Sequence, residues 1–314
     1  MTEDELVERL RVAFEQPSPD IVLGIGDDAA VLAPSPDACV LSVDAAFEGV
    51  HFDRSWAGLC EIGRRSFVAA LSDLAAMGAR PRAALVALSL APGFQERDVD
   101  ELARGLRMAA DEFNAPIVGG NLARGGHLSI TTTVVGACTG RAVGRRGAQA
   151  GDAVWVTGPL GAAALGLVAL QRGRGGEPSF EPYVRRWRAP HARLMVGQRL
   201  ADLATACIDV SDGLVRDLGR LARASGVGVR IETQEVPLEA GFVQACALLD
   251  VDPLDLALAG GEDYELAFTA PLSAGVAAVA TRIGAVVEGS GVEIVGPDGG
   301  RISLRRIGHD HFGG

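Results

Sequence analysis

Acidic residues recur in this chain at one kind of place, where an apolar, strand-like run gives way to small residues. Six segments show it: GIGDDAAVL (Asp27, Asp28), LSVDAAFEGVHF (Ser42, Asp44, Glu48, His51), LSDLAAMGA (Asp73), VGGNLARG (Gly119, Gly120, Asn121), IDVSDGL (Asp209, Ser211, Asp212) and LAGGEDYEL (Glu262, Asp263). Hard oxygen ligands on turns suit Mg²⁺, an ion that keeps several waters and is held by a few carboxylates together with substrate phosphates. Several such turns brought together make a multi-metal phosphate cradle. Each segment also has a plain structural reading. Asp and Gly are ordinary turn residues. Ser72-Asp73 and Ser211-Asp212 read as helix starts, where Ser and Asp serve as caps and dipole partners. Gly119-Gly120 reads as a turn, and His51 beside Phe52 as a partly buried structural histidine. The chain contains no GxGxxG, GxSxG or HExxH pattern, and its five His show no triad-like pairing.

Composition narrows the chemistry. All 29 basic residues are Arg, and the net charge is −11. An acidic chain without lysine argues against nucleic acid as the main partner. It also has no Walker-type lysine, so a phosphate site here needs metal ions and Arg. With 48% apolar and 22% charged residues the chain can build a full core. Cys39, Cys60, Cys138, Cys207 and Cys246 are scattered, odd in number and free of CxxC spacing. That pattern fits reduced thiols in the cytoplasm. The N-terminal MTEDELVERL is acidic and amphipathic, unlike a signal peptide. The uncharged stretch from Ala153 to Leu170 is broken by Gly158-Pro159 and Gly161, so it reads as strand, turn and helix and not as a membrane span.

The elements that must carry these residues follow from periodicity. Glu3 to Glu15 reads as a helix with Leu6, Leu10 and Phe14 on one face, ended by Pro17 and Pro19. Cys39 to Asp44 reads as a buried strand that EGVHF continues. Glu61 to Ala76 reads as a helix, Ala83 to Leu90 as a strand, and Asp98 to Phe113 as an amphipathic helix with Leu102, Leu106, Ala109 and Phe113 in register. Pro116 to Gly120 reads as a short strand running into a Gly-Gly turn, and Leu128 to Gly136, rich in Thr and Val, as a strand. Gly140 to Gly151, rich in Gly and Arg, is the expected boundary between a domain over 1–140 and one over 151–314. The second part reads as AVWVTG strand, Ala/Leu helix, a flexible Gly/Pro loop over Arg172 to Pro182, a helix over His191 to Ala206, a strand to Val210 and a helix over Leu214 to Ala224. Beyond Tyr264 it alternates short strands with one Ala-rich helix. Strands and helices mix in both halves, so the fold class is α/β or α+β.

Taken together, GIGDDAAVL, VDAAFEGVHF, LSDLAAMGARP, VGGN, GDAVWVTGPLG, IDVSDGLVRDL, GGEDYEL and the terminal GHDHF resemble the thiamine-monophosphate kinase family, in order and spacing, from about residue 20 onward. That family lies in the aminoimidazole-ribonucleotide-synthetase-like (PurM-like) superfamily. The resemblance implies an N-terminal α/β domain and a C-terminal α+β domain. It also implies a homodimer whose N-terminal strands pair across the two-fold axis into a barrel, with ATP beside it. Carried over by motif position, Asp27, Ser42, Asp44, Asp73, Asn121, Asp209 and Asp212 would hold Mg²⁺, and Gly120, Asn121, Arg145 and Ser211 would contact ATP. His51, Glu262 and Phe312 would meet thiamine monophosphate, and Asp44, Asp73 and Arg145 would carry catalysis.

The implied reaction is ATP-dependent phosphorylation of thiamine monophosphate to thiamine diphosphate, the last step of thiamine diphosphate biosynthesis. The nucleophile is then a phosphate oxygen, dianionic already at neutral pH because its second pKa is about 6, and no general base is needed. This sequence departs from the family pattern at Asn121, where Asp is common, at Val43, where Thr is common, and at Ala103, near which some relatives place an aromatic residue. A related enzyme acting on another small phosphate and a non-catalytic ATP-binding relative are the alternative readings.

Overall fold

The computed structural model describes residues 2–26 and 28–309. The chain divides into two compact units, one made of Met1–Leu74 and Ala79–Gly140, the other of Ala75–Gly78 and Arg141–Gly314.

The first unit opens with α1 (Glu3–Phe14), where the Thr2 hydroxyl accepts from the Glu5 amide and the Glu5 carboxylate returns the bond, a reciprocal cap that satisfies two amides the helix leaves unpaired. Strands β1 (Ile21–Leu23) and β2 (Val31–Leu32) form a short antiparallel pair. Then follow β3 (Ala38–Phe47), α2 (Leu59–Ala76), β4 (Arg80–Leu90), α3 (Glu96–Glu112), β5 (Ile117–Arg124) and β6 (Ser129–Cys138). The sheet runs β3-β6-β4-β5, and only β4 and β5 are parallel. Its alternating pattern buries Ile130, Thr132 and Val134 of β6 with Ala84, Val86 and Leu88 of β4. Helix α2 covers this face: a Cβ on Gly136 would sit 3.0 Å from a Leu74 methyl. Helices α2 and α3 touch backbone to backbone, since a Cβ on Gly105 would lie 1.9 Å from the Cys60 carbonyl. The opposite face is apolar and open, with Leu41 67% exposed, Val43 61% and Phe47 47%.

The second unit contains β7 (Ala153–Val156), α4 (Ala162–Gln171), α5 (Glu181–Arg188), α6 (Leu194–Leu200), β8 (Ala206–Asp209), α7 (Leu214–Ser225), β9 (Gly228–Glu232), α8 (Phe242–Leu248), α9 (Pro253–Ala259), β10 (Leu266–Ala270), β11 (Thr281–Val287) and β12 (Gly291–Val295). Six strands form one sheet in the order β12-β9-β11-β7-β10-β8. Strands β7 and β10 and the edge strand β8 are buried throughout, as strands covered on both faces must be. Leu214, Leu218 and Leu221 of α7 join Val154, Ile208 and Ala267 in its core.

Several elements differ from the sequence reading. EGVHF does not prolong β3 but turns tightly, with Gly49 at φ +84° and His51 N donating to the Phe47 carbonyl. The Gly/Pro loop expected over Arg172 to Pro182 ends in the first two residues of α5, a helix the sequence reading did not give, and the helix expected over His191 to Ala206 shrinks to α6. The Ala-rich helix expected in the tail is two short 3₁₀ turns, Leu272–Ala274 and Val276–Ala278. No helix among the described residues is long and apolar enough to cross a membrane.

Candidate functional site

In the first unit the acidic residues gather on β3 and α2. Side chains alternate along a strand, so Ser42 and Asp44 share one face. The Ser42 hydroxyl donates to Asp73 Oδ2 at 2.5 Å, which holds the Asp73 carboxylate on the Asp44 face. Asp44 is exposed, and its Oδ1 accepts from the Ala45 amide at 2.7 Å. Ser72 and Asp73 do not start a helix, as the sequence suggested. They lie near the C-terminal end of α2, because the apolar periodicity extends back to Leu59. A carboxylate in the last turn faces the negative end of the helix dipole, and no basic residue lies in that turn of α2 to offset it.

Val43 projects to the other face of β3, away from Ser42 and Asp44. The departure there leaves the oxygen donors of the Asp44 face untouched. His51 Nδ1 accepts from the Phe47 amide at 3.1 Å. That bond assigns the neutral tautomer with its proton on Nε2.

Gly119 and Gly120 are not a turn either. Both lie inside β5, where a Cβ on Gly120 would fall 1.8 Å from the Val86 carbonyl. Gly120 is glycine because the β4 backbone approaches too closely there for a side chain, while a Cβ on Gly119 would meet a Leu85 methyl at 2.9 Å. Register puts Asp44 opposite Thr132, Thr132 opposite Val86, and Val86 opposite Gly120. Gly120 and Asn121 therefore stand three strand spacings from Asp44, about 14 Å, and one copy of this sheet does not bring Asn121 to the Ser42–Asp73 pair. Asp28 is exposed after the β1 turn. Asp27 and Phe312 lie outside the described residues.

In the second unit the loop Val210–Gly213 joins β8 to α7. Asp209, at the strand end, is 5% exposed. The loop is shaped by a residue the sequence reading missed. Asp217, fully buried in the first turn of α7, accepts the amides of Ser211 and Asp212 on one oxygen, each at 3.0 Å. Its other oxygen accepts from Arg220 at 2.7 Å, and the same guanidinium reaches Asp212 Oδ2 at 2.6 Å. Burial pushes the Asp217 carboxyl up to about 6, against the pull of the two amides and Arg220. The signal was present: an acid three to four residues inside a helix start, with an Arg three residues later, is a pattern for local capping and pairing.

The GGEDYEL segment straps this loop. Glu262 N donates to the Ser211 carbonyl at 2.8 Å, and Tyr264 N to that of Val210 at 3.0 Å. Glu262 and Tyr264 both have positive φ, +60° and +52°, conformations that cost non-glycine residues energy and persist where the surroundings enforce them. Trp187 Nε1 donates to Glu262 Oε2 at 2.7 Å. Asp263 accepts from Gly161 N at 2.8 Å, at the start of α4, and its burial pushes the carboxyl up to about 7. His309 N donates to the Asp212 carbonyl at 2.9 Å, so the chain returns to the loop near its end. Arg145 is exposed, and its carbonyl accepts from the Ser225 hydroxyl at 2.9 Å.

Among the described residues, no three His, Cys, Asp or Glu side chains gather closely enough to hold a metal on their own. Mg²⁺ is a cation for which one or two carboxylates suffice, water and substrate phosphates completing its shell. The donors on the Asp44 face are all oxygens, and beside Asp44 in register the buried Thr132 hydroxyl has no hydrogen-bond partner among the described residues. The donor set fits a hard divalent cation and gives a soft one no thiolate or imidazole.

Two family models match the chain: AIR synthase related protein, N-terminal domain, over residues 26–138, and AIR synthase related protein, C-terminal domain, over residues 149–296. The two units thus have the architecture of AIR-synthase-related (PurM-like) proteins. Among the relatives, the thiamine-monophosphate kinase of Aquifex aeolicus is 34% identical over 92% of each chain. The crystal structure of thiamine-monophosphate kinase from Stenotrophomonas maltophilia K279a superposes with a TM-score of 0.85 at 35% identity, covering 96% of this chain and 98% of that one. The structure of AaThiL complexed with AMPPCP and TMP superposes at 0.82 with 32% identity, covering 98% and 97%. The chain belongs to the thiamine-monophosphate kinase family.

Proposed function

We propose that this protein transfers the γ-phosphoryl group of ATP directly to the phosphate of thiamine monophosphate, releasing thiamine diphosphate and ADP. The observation that carries this reading is the full-length match to thiamine-monophosphate kinases, one of them complexed with an ATP analogue and TMP, in a chain that keeps the acidic segments in order. Asp27, Ser42, Asp44, Asp73, Asn121, Asp209 and Asp212 would hold Mg²⁺. When bound, the ions supply positive charge that offsets the repulsion between two anionic substrates.

The residues of the chain do the rest. Ser42 fixes the Asp73 carboxylate by donating to it. Asp217 and Arg220 hold the Ser211-Asp212 backbone in one conformation, so that Ser211 can meet the nucleotide without reorganising; Gly120 would contribute a contact of its own. Arg145 adds a permanent cation near the phosphates. No side chain needs to remove a proton, because the attacking phosphate is already dianionic. On the substrate side, His51, Glu262 and Phe312 receive thiamine monophosphate. The thiazolium is cationic, so a carboxylate and an aromatic ring attract it by charge and by cation–π contact.

The open apolar face of the four-stranded sheet, with Leu41, Val43 and Phe47 exposed, supports a homodimer built on that face, since exposed patches of this kind mark interaction surfaces. A dimer would also account for the separation of Asn121 from Asp44 within one copy. The free, scattered cysteines support a reducing, cytoplasmic setting.

The test is an ADP-release assay with and without thiamine monophosphate and magnesium, run beside other small phosphate monoesters. Release that requires both, and that no other monoester supports comparably, is the expected result. ADP release indifferent to thiamine monophosphate overturns the proposal.

A further inference from the structure

Trp187 has no part in the reading above, yet it is wholly buried and spends its only polar atom on Glu262. It lies in the last turn of α5, a helix with a hydrophobic face of Tyr183, Val184 and Trp187. This helix is held rigidly. A Cβ on Gly166 of α4 would fall 2.2 Å from the Tyr183 carbonyl, so α4 and α5 pack at backbone contact. Helix α4 is in turn capped by Asp263, the residue after Glu262. The adjacent acids Glu262 and Asp263 are therefore each bonded to one of two helices that are locked together. The closed circuit runs from Glu262 through Trp187, α5, α4 and Asp263 back to Glu262. An extended-surface carboxylate samples several rotamers, whereas this one is anchored at both its backbone, by the Ser211 carbonyl, and its Oε2.

We infer that Trp187 is a positioning residue for substrate recognition: its indole N–H fixes the Glu262 carboxylate in one orientation, toward the organic part of thiamine monophosphate. The inference rests on the proposed role of Glu262. The indole N–H removes the cost of ordering the side chain when substrate arrives. Phosphoryl transfer itself takes place elsewhere on the substrate, so the effect belongs to binding of thiamine monophosphate and not to ATP.

The experiment compares Trp187→Phe, Glu262→Gln and the double variant in steady-state kinetics. Trp187→Phe keeps an aromatic ring and loses the donor together with part of the indole's volume, so its thermal unfolding midpoint is measured alongside the kinetics. It is expected to raise KM for thiamine monophosphate about tenfold, the usual size for a hydrogen bond to a charged group, with KM for ATP unchanged. The double variant should be no worse than Glu262→Gln alone. Glu262→Gln raising that KM while Trp187→Phe leaves it unchanged overturns the positioning role and spares the Glu262 assignment. Additive losses, or an equal rise in KM for ATP, also overturn it, because they indicate a general packing defect. If Glu262→Gln leaves KM unaltered, the underlying assignment fails and this inference with it. A measurement on the unaltered protein guards against a variant that does not fold. Among the indole N–H resonances of its three Trp, that of Trp187 should shift on titration with thiamine monophosphate and stay in place with a non-hydrolysable ATP analogue. An indole resonance insensitive to thiamine monophosphate overturns the inference.

Discussion

The two acidic regions are built on opposite plans. In the first unit, Asp44 and Asp73 project from regular elements, one from an edge strand and one from a helix end whose dipole opposes its charge; a Ser hydroxyl steadies Asp73. In the second unit, the Ser211-Asp212 loop is wrapped by the protein's own groups: two amides satisfied by Asp217, and a carboxylate matched by Arg220. The first region is a set of donors that gains from an external cation. The second is a finished backbone shape whose charge is largely balanced internally. Substitutions should therefore separate them, loss of Asp44 or Asp73 failing in chemistry and loss of the Asp217 support failing in folding.

The largest expected effect is on turnover. Asp44→Ala or Asp73→Ala should lower kcat by about a thousandfold, the scale for losing a preorganised electrostatic group, while the thermal unfolding midpoint stays close to that of the parent. Near-normal turnover in either variant breaks the comparison at its first half. The next effect is on stability. Asp217→Ala removes a buried acceptor of two amides and one of the two carboxylates paired with Arg220, and should cost about 3 kcal/mol in urea unfolding. A loss below the error of the measurement would show that the loop shapes itself.

A pH series sharpens the same contrast. Asp263 and Asp217 have carboxyls raised to about 7 and about 6 by burial. The folded protein thus holds these protons more tightly than the unfolded chain, whose carboxyls titrate near 4. Their contribution to stability is full below about pH 4 and is lost as pH rises through 6 and then 7. Asp263→Asn should flatten the upper part of that decline, and an unaltered pH profile would remove Asp263 from the account. The smallest effect concerns Asn121. Asn121→Asp should lower the magnesium concentration for half-maximal rate by about fivefold, the worth of one added charge near a solvated ion. An unchanged titration would show that residue 121 is no ligand.

Much of this was legible in the sequence. The strands that carry Asp44 and Asp209 follow from their apolar runs, although β3 extends to Phe47 and is half-buried to exposed where a buried strand was expected; the amphipathic helices α3 and α7 follow from periodicity, because one face of each meets a core. What escaped were features set by close approach and by short-range pairing. Gly119-Gly120 looked like a turn because turn chemistry and tight strand packing both select glycine, and only the Val86 carbonyl tells them apart. Ser72-Asp73 looked like a cap because a Ser-Asp pair carries the same local signal wherever it falls along a helix. Helix α5 escaped because it is short and flanked by Gly and Pro, although Tyr183, Val184 and Trp187 already mark one face. Asp217 was hidden as an ordinary polar position of α7. Its role exists only because the preceding loop folds back over it.

That folding back has a practical consequence for anyone reshaping the protein by combinatorial mutagenesis. Residues 209–213 are not a free segment to randomise, since their conformation is stored in Asp217 and Arg220, one and two helical turns downstream. A library that diversifies the loop alone would be drawn against a fixed template, and productive new sequences would concentrate at side chains that leave the 211 and 212 amides pointing inward. Diversifying all seven positions together treats the inherited unit as it is actually made.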